Sequence, residues 1–306
     1  MREKVSSAER TVPRLSVFRR ALWHANRTSL KWAIKSALSI VHARDKQARR
    51  LAARAYVPDE STLATAADLR SNGYAMVDKF VDPVLLSELE QASLERVSRA
   101  EQLQKSQSMT HKSFWVRLLD QDRHDGAFDC DNVFVRFATQ PGIVTLLSAY
   151  LKEVPRLTDV LLTYSLPSSA QESYSQLWHR DFDDVRTLKV FAYLTDVNDT
   201  DDGPFTFLPG PASDPIGFTL RSHLRDEALF SRVAREDVRE MCGARLTTFV
   251  CETSRSMHMG SRLRSGHSRL MYTATFISAP SVYPPGNTRF SASRTLSGTE
   301  RLLLAL

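Results

Sequence analysis

Cysteine is scarce in this 306-residue chain: Cys130, Cys242 and Cys251 are scattered, and no CxxC pair occurs. That excludes a disulfide scaffold and a thiolate zinc site. No run of eighteen predominantly apolar residues exists, so no segment reads as a membrane-spanning helix. The basic start is not followed by an unbroken apolar stretch, which argues against a secretory signal. Internal repeats and low-complexity tracts are also missing. Hydrophobic residues make up 42% of the chain, which excludes wholesale disorder. The length allows one large domain with an extension, or two small ones. Unpaired cysteines and the missing export and spanning signals make the cytoplasm the expected compartment.

An excess of positive charge is missing from most of the chain as well. The net charge is +6, yet residues 1–55 carry 14 Lys+Arg and 3 Asp+Glu, a local charge of +11. The remaining 251 residues carry 27 basic and 32 acidic groups, or −5. The body is therefore mildly acidic, and no nucleic-acid partner is expected for it. In the leader, Leu15, Phe18 and Leu22, then Leu30, Ile34, Leu38 and Val41, recur at three- and four-residue spacing. Arg19, Arg20, Arg27, Lys31 and Lys35 lie between them, which reads as one or two amphipathic helices with a basic polar face. Three readings stay open: peripheral contact with an anionic membrane surface, a targeting presequence, or an extension packed on the body with its cations in water.

Pro58 and the acidic pair Asp59–Glu60 end the basic stretch. We divide the chain into a basic helical extension (1–58), a main domain (59–285) and a C-terminal tail (286–306). Leu63–Arg70 reads as a helix stopped by Ser71-Asn72-Gly73, and Tyr74–Val81 as a short strand. Asp82-Pro83 then opens a helix running to about Gln104. Short runs rich in Val, Phe, Tyr, Leu and Thr follow: Asn132–Ala138, Leu157–Leu166, Thr187–Val197, Phe205–Leu208, Leu246–Cys251 and Leu270–Ile277. A charged helix over about Leu224–Met241 interrupts them. Many short strands with flanking helices suggest a jelly-roll-type barrel.

The chemistry centres on His179-Arg180-Asp181. Residues i and i+2 of a strand share a face, so His179 and Asp181 can bind one metal ion together. A lone HxD is a weak signal, because this composition yields such a triplet by chance in roughly every second chain. Its surroundings add weight. RTLKVFAYLTDV, the turn DTDDGP and FTFLPGP follow, as strands completing a barrel wall would. His258 is placed to give a third ligand; its rival His267 follows Gly266 and reads as a loop residue. Arg269, eleven residues after His258, opens the apolar run RLMYTATF. Two imidazoles and a carboxylate leave open positions on a metal, as in non-haem Fe(II) oxygenases, and an inward Arg recognises a carboxylate. His111, His124 and His223 read as surface residues, and Trp178 as packing on the outer face of the barrel.

LRSNGYAMVDKFVDP, WHRDFDD, YLTDV and GPFTFLPGP, together with His258 and Arg269, resemble the phytanoyl-CoA dioxygenase family over about Leu63–Ala279. The resemblance implies a mainly β fold with flanking helices, a double-stranded β-helix (jelly-roll, cupin-like) core. It implies an Fe(II)- and 2-oxoglutarate-dependent dioxygenase that consumes O2 and releases succinate and CO2. It assigns iron to His179, Asp181 and His258, and the distal carboxylate of 2-oxoglutarate to Arg269. Tyr193 would stand beside the cosubstrate. Some relatives carry Ser two residues after the distal His; that position is Gly260 here and Ser261 follows, so Ser261 is the candidate hydroxyl. Halogenating relatives lack the HxD carboxylate, and Asp181 is present, which favours hydroxylation of an unactivated C–H bond. The expected substrate is a small organic or acyl- or lipid-linked molecule. The competing reading is a β-barrel that binds a metal or ligand without catalysis.

Overall fold

Two antiparallel sheets face each other and carry the body of the chain. A computed structural model describes residues 17–100, 114–168, 171–217, 219, 221–260, 262–264, 266–283 and 288–306. The strands are β1 (Tyr74–Met76), β2 (Trp115–Arg117), β3 (Ala127–Asp129), β4 (Arg156–Ser165), β5 (Trp178–His179), β6 (Thr187–Tyr193) and β7 (Phe205–Phe207). They continue with β8 (His223–Leu224), β9 (Arg239–Met241), β10 (Thr248–Glu252), β11 (His258–Met259), β12 (Arg269–Ile277) and β13 (Arg289–Ser291). The larger sheet runs β1-β10-β6-β12-β4-β2 and the smaller β8-β5-β11-β7-β9. This is the expected double-stranded β-helix, a mainly β fold with helices packed outside it.

Strand alternation divides the core in two. Leu188, Val190 and Ala192 of β6 face outward, into the large cluster beneath the helices α4 (Glu60–Asn72), α5 (Pro83–Val97), α6 (Val133–Thr139) and α7 (Pro141–Leu151). Phe191 and Tyr193 face inward and pack with Phe205, Phe207, Phe249 and Met271 between the sheets. The same alternation turns Lys189 inward, among aromatics.

The helix ends follow their capping residues. Asp59 accepts from Thr62 N at 2.7 Å to start α4, and Gly73 ends it at φ +83°. A β-carbon on Gly73 would stand 2.6 Å from Ser256 Oγ, so α4 closes onto the loop before β11. Asp82 caps α5, with Pro83 in its first turn. Three expectations are corrected. Tyr74–Val81 is a strand only to Met76 and then a 3-10 turn, Asp78–Phe80. Asn132–Ala138 is helical, because Asn132 caps Phe134 N at 3.0 Å and Phe134, Val135, Phe137 and Ala138 are buried. Over Leu224–Met241 the helix covers only Asp226–Phe230; a 3-10 turn and β9 follow, so Arg232, Arg235 and Arg239 share no helical face.

The leader forms α1 (Val17–Asn26), α2 (Leu30–Val41) and α3 (Ala43–Ala52), and Leu15 lies outside the described residues. Its polarity departs from the expected one: Ile34 and Leu38 are half-buried, but Leu30 and Val41 are exposed and some of the cations turn inward. Lys35 is 8% exposed, pairs with Asp184 Oδ2 at 2.7 Å and donates to Ser278 O at 3.0 Å, whereas Ile40 and Val41 of α2 are 76% and 75% exposed. Lys46 pairs with the buried Glu153, and the buried Arg49 donates to Val154 O at 3.3 Å. Buried carboxylates of the body need counter-charges, and that demand outweighs burying the apolar face of α2. Of the readings left open, the geometry is that of an extension packed on the body, held by cations turned inward.

Residues of the C-terminal tail join the body too. β13 pairs in parallel with β3, and the helix Gly298–Leu304 buries Leu303 and Leu304. Among the described residues no helix is long and apolar enough to cross a membrane.

Candidate metal centre

β5 and β11 are neighbours in the smaller sheet, and their register sets His179 directly opposite His258. The two imidazole centroids are 4.3 Å apart. His179 Nδ1 donates to Leu177 O at 2.8 Å and His258 Nδ1 to Ser256 O at 3.0 Å. A carbonyl only accepts, so each ring carries its proton on Nδ1 and leaves Nε2 as a lone-pair donor. Asp181 follows β5, held by its backbone N–H on Thr253 O at 2.9 Å. Its Oδ2 lies 3.7 Å from His258 Nε2. One ligand atom from each of His179, Asp181 and His258 falls within 4.8 Å of the others.

The electrostatics suit a divalent cation. Burial, followed by His258, pushes His179 well below the ordinary imidazole range, and burial lowers His258 as well. Burial opposes ionisation of Asp181, but Lys189 and then the two imidazoles outweigh it, so the carboxyl stays below its usual range. Two neutral imidazoles and one carboxylate at neutral pH are the protonation states that metal ligation requires. Nitrogen and oxygen donors of this kind, without thiolate, fit Fe(II).

Lys189 was not foreseen. Its Nζ lies 2.8 Å from Asp181 Oδ2. The signal for it was there: in TLKVFAY, Lys189 shares parity with the inward Phe191 and Tyr193. Asp183, also missed, is pushed up to about 6 by burial and then by Asp181. His223 corrects another expectation: it is half-buried on β8 opposite His179, with ring centroids 5.1 Å apart. His267 is 84% exposed and outside the cluster. Trp178 is buried and donates Nε1–H to Asp226 at 2.9 Å. Arg180 donates to three backbone carbonyls, Arg255 O, Gly217 O and Ser213 O.

Arg269 is 2% exposed at the start of β12, opposite Ser165 of β4, and donates through Nη1 to Gly203 O. A β-carbon on Gly260 would stand 4.0 Å from Arg269 Nη2. Tyr193 is fully buried; its hydroxyl donates to Met241 O at 2.7 Å and accepts from Phe205 N at 2.9 Å. Burial pushes that hydroxyl up to about 12, so it remains a donor. Those two bonds tie β6 to β7 and β9, and what Tyr193 can offer the barrel interior is its ring. Ser261 lies outside the described residues.

A second cluster, Asp129, Cys130 and Asp131, has a different character. Asp131 pairs with Arg294 at 2.9 Å, and burial followed by Asp131 raises the Cys130 thiol, which disfavours the thiolate.

The arrangement is a jelly-roll barrel with a two-His, one-carboxylate cluster on its smaller sheet and a buried guanidinium on the larger. No protein-family model and no curated protein matches the chain. Among solved structures it is similar to EctD from S. alaskensis in its apoform, at 15% identity and TM-score 0.54, over 75% of this chain and 87% of that one. EctD with bound Fe gives 14% and 0.51 over 76% and 81%. EctD with 2-oxoglutarate and 5-hydroxyectoine gives 15% and 0.50 over 71% and 76%. At such identities the likeness is one of fold.

Proposed function

We propose that the chain is an Fe(II)- and 2-oxoglutarate-dependent oxygenase, of the phytanoyl-CoA dioxygenase type, that hydroxylates an unactivated C–H bond of a small organic or acyl- or lipid-linked substrate. The observation that carries this reading is the convergence of the His179, Asp181 and His258 ligand atoms within 4.8 Å, in a barrel that also buries Arg269. It is supported by the fold shared with EctD, whose structures include one with Fe and one with 2-oxoglutarate. His179, Asp181 and His258 would hold the iron. When bound, the iron supplies the activation of O2, coupled to conversion of 2-oxoglutarate to succinate and CO2.

The residues of the chain have distinct tasks. The carbonyls of Leu177 and Ser256 hold both imidazoles with Nε2 toward the shared position. Arg269 would grip the distal carboxylate of 2-oxoglutarate, with Gly203 O fixing the guanidinium. Tyr193 lends a rigid ring to the barrel interior, and Ser261 is the remaining candidate for a hydroxyl contact. Phe205, Phe207 and Met271 keep the interior apolar, which shields the reaction from water.

The test incubates the purified chain with Fe(II), 2-oxoglutarate, air and a library of small molecules and acyl derivatives. The expected result is succinate together with a product one oxygen heavier, both dependent on Fe(II). Succinate production that survives His179→Ala or His258→Ala would overturn the assignment. Tight metal binding with no succinate from any substrate would favour the non-catalytic barrel.

A further inference from the structure

Between the leader and the body lies a groove of about 770 Å³. Six cationic side chains line it: Arg27, Lys31, Arg70, Arg180, Arg186 and Arg255. Only two carboxylates, Asp214 and Glu252, oppose them. Both are already engaged. Asp214 accepts two hydrogen bonds from Arg255, at 2.9 and 2.6 Å, and Glu252 accepts from the Tyr150 hydroxyl. Among the described residues, neither Lys31 nor Arg186 lies within salt-bridge distance of an acid; Arg186 and Arg70 instead stand 5.5 and 5.3 Å from the Tyr150 ring. Burial, then Arg180, lowers Lys31 from the ordinary lysine range. An adjoining pocket of about 400 Å³ shares Arg70, Tyr150 and Arg186 and adds Arg50 and Lys152.

The groove is separate from the metal centre. Arg180 and Phe182 flank Asp181 in the chain and point to the opposite side of it. Arg27 lies over the Phe182 ring, 5.5 Å away, and Asn26 donates to Phe182 O, so α1 forms the near wall. The far wall is Tyr150 of α7. Like charges held this close repel one another. Arg27 is engaged by Thr219 O, Arg180 by backbone carbonyls and Arg255 by Asp214, and with Lys35, Lys46 and Arg49 anchored elsewhere the packing of the leader does not require Lys31. Guanidinium forks match phosphoryl oxygens, and the volume is that of a small-molecule site.

We propose that this groove binds a ligand carrying a phosphoryl or pyrophosphoryl group, gripped by Lys31, Arg70 and Arg186 and flanked by Tyr150 and Trp32. The site does not depend on the oxygenase reading, and its test does not use turnover. Inorganic pyrophosphate is titrated into the full chain by calorimetry. In parallel, the full chain is floated with phosphatidylcholine vesicles, with and without phosphatidylinositol bisphosphate. Saturable pyrophosphate binding is expected. Lys31→Gln with Arg186→Gln should weaken it by at least about tenfold, the effect of losing a charge-assisted bond, while Arg232→Gln on the exposed surface should not. Pyrophosphate should also slow acetylation of Lys31 in the unaltered protein, read by peptide mass spectrometry, which needs no variant to fold. Flotation that requires the phosphoinositide identifies a lipid headgroup as the source, and pyrophosphate binding without flotation identifies a soluble phosphoryl compound. No binding of either probe, binding that the double variant retains with Lys31 unprotected, or binding confined to long nucleic acids would overturn the proposal.

Discussion

Arg269 spends a buried guanidinium in a barrel that is otherwise largely aromatic, and burial lowers it from the ordinary arginine range. Such a charge has a use if a carboxylate comes to meet it. Arg269→Ala should raise the half-saturating 2-oxoglutarate concentration by at least about tenfold and leave metal affinity unchanged, and Arg269→Lys should fall between, having lost the fork. Steady-state kinetics beside metal titration check this. Tyr193→Phe separates two roles at one position. It leaves Phe205 N without an acceptor and should cost about 1–3 kcal/mol in urea unfolding. Because the hydroxyl is already spent, 2-oxoglutarate dependence should stay the same. The grouping of His179, Asp181 and His258 was legible from the HxD spacing and from the place of His258 before the last long strand, and the burial of Arg269 from the apolar run it opens. Lys189 was passed over because a lysine inside an apolar strand reads as solvent-facing until its partner, Asp181, is known to lie within reach.

At the scale of elements, the leader is held by a few buried polar anchors. Lys35 is the counter-charge of Asp184, which also accepts from Ser278 Oγ at 2.7 Å and Val282 N at 2.9 Å. Lys35→Met removes the charge and leaves the carboxylate buried, so a loss of about 3–5 kcal/mol is expected in urea unfolding. Proteolysis within α2 should quicken at the same time. The C-terminal helix offers a test by pH. Its capping residue Glu300 is lowered to about 2 by Arg294 first and then by the Ser297 backbone. A depressed carboxyl contributes stability that is present above the ordinary carboxylate range and is lost as pH falls toward 2. The protection factors of residues 298–304, which correct for the intrinsic slowing of amide exchange in acid, should therefore fall on acidification, and Glu300→Gln should flatten that dependence. The elements themselves were unevenly legible. The pattern of the long strands was plain, and so was the cap at Asp82; Asp59 was read only as the end of the basic stretch, although it caps α4. VFVRFA misled because its β-formers sit where Asn132 caps a helix and Pro141 starts the next. The direction of α2 was hidden because it depends on Asp184, far away in sequence.

At the scale of the molecule, the candidate ligands come from β5, the loop after it and β11, so an ion bound there would clamp the smaller sheet. Adding Mn(II) at a hundred times its dissociation constant should stabilise the fold by about 2.7 kcal/mol, read as a rise in melting temperature. Chelator should reverse the rise and His179→Ala should abolish it. The contrast in charge between leader and body resolves at this scale as well. Part of the leader's cation excess neutralises acids buried in the body, and part lines the groove between them.

The anchoring of Lys35 also has a consequence in time. The carbonyl of Ser278 that it grips lies 243 residues further along the chain. At ordinary elongation rates a ribosome needs on the order of 12–50 s to span that distance. Throughout that interval the leader has been made and its anchoring is incomplete: Glu153, Val154 and Asp184 emerge first and Ser278 last. A cationic segment then waits beside ribosomal RNA, and docking of the leader belongs among the last events of folding.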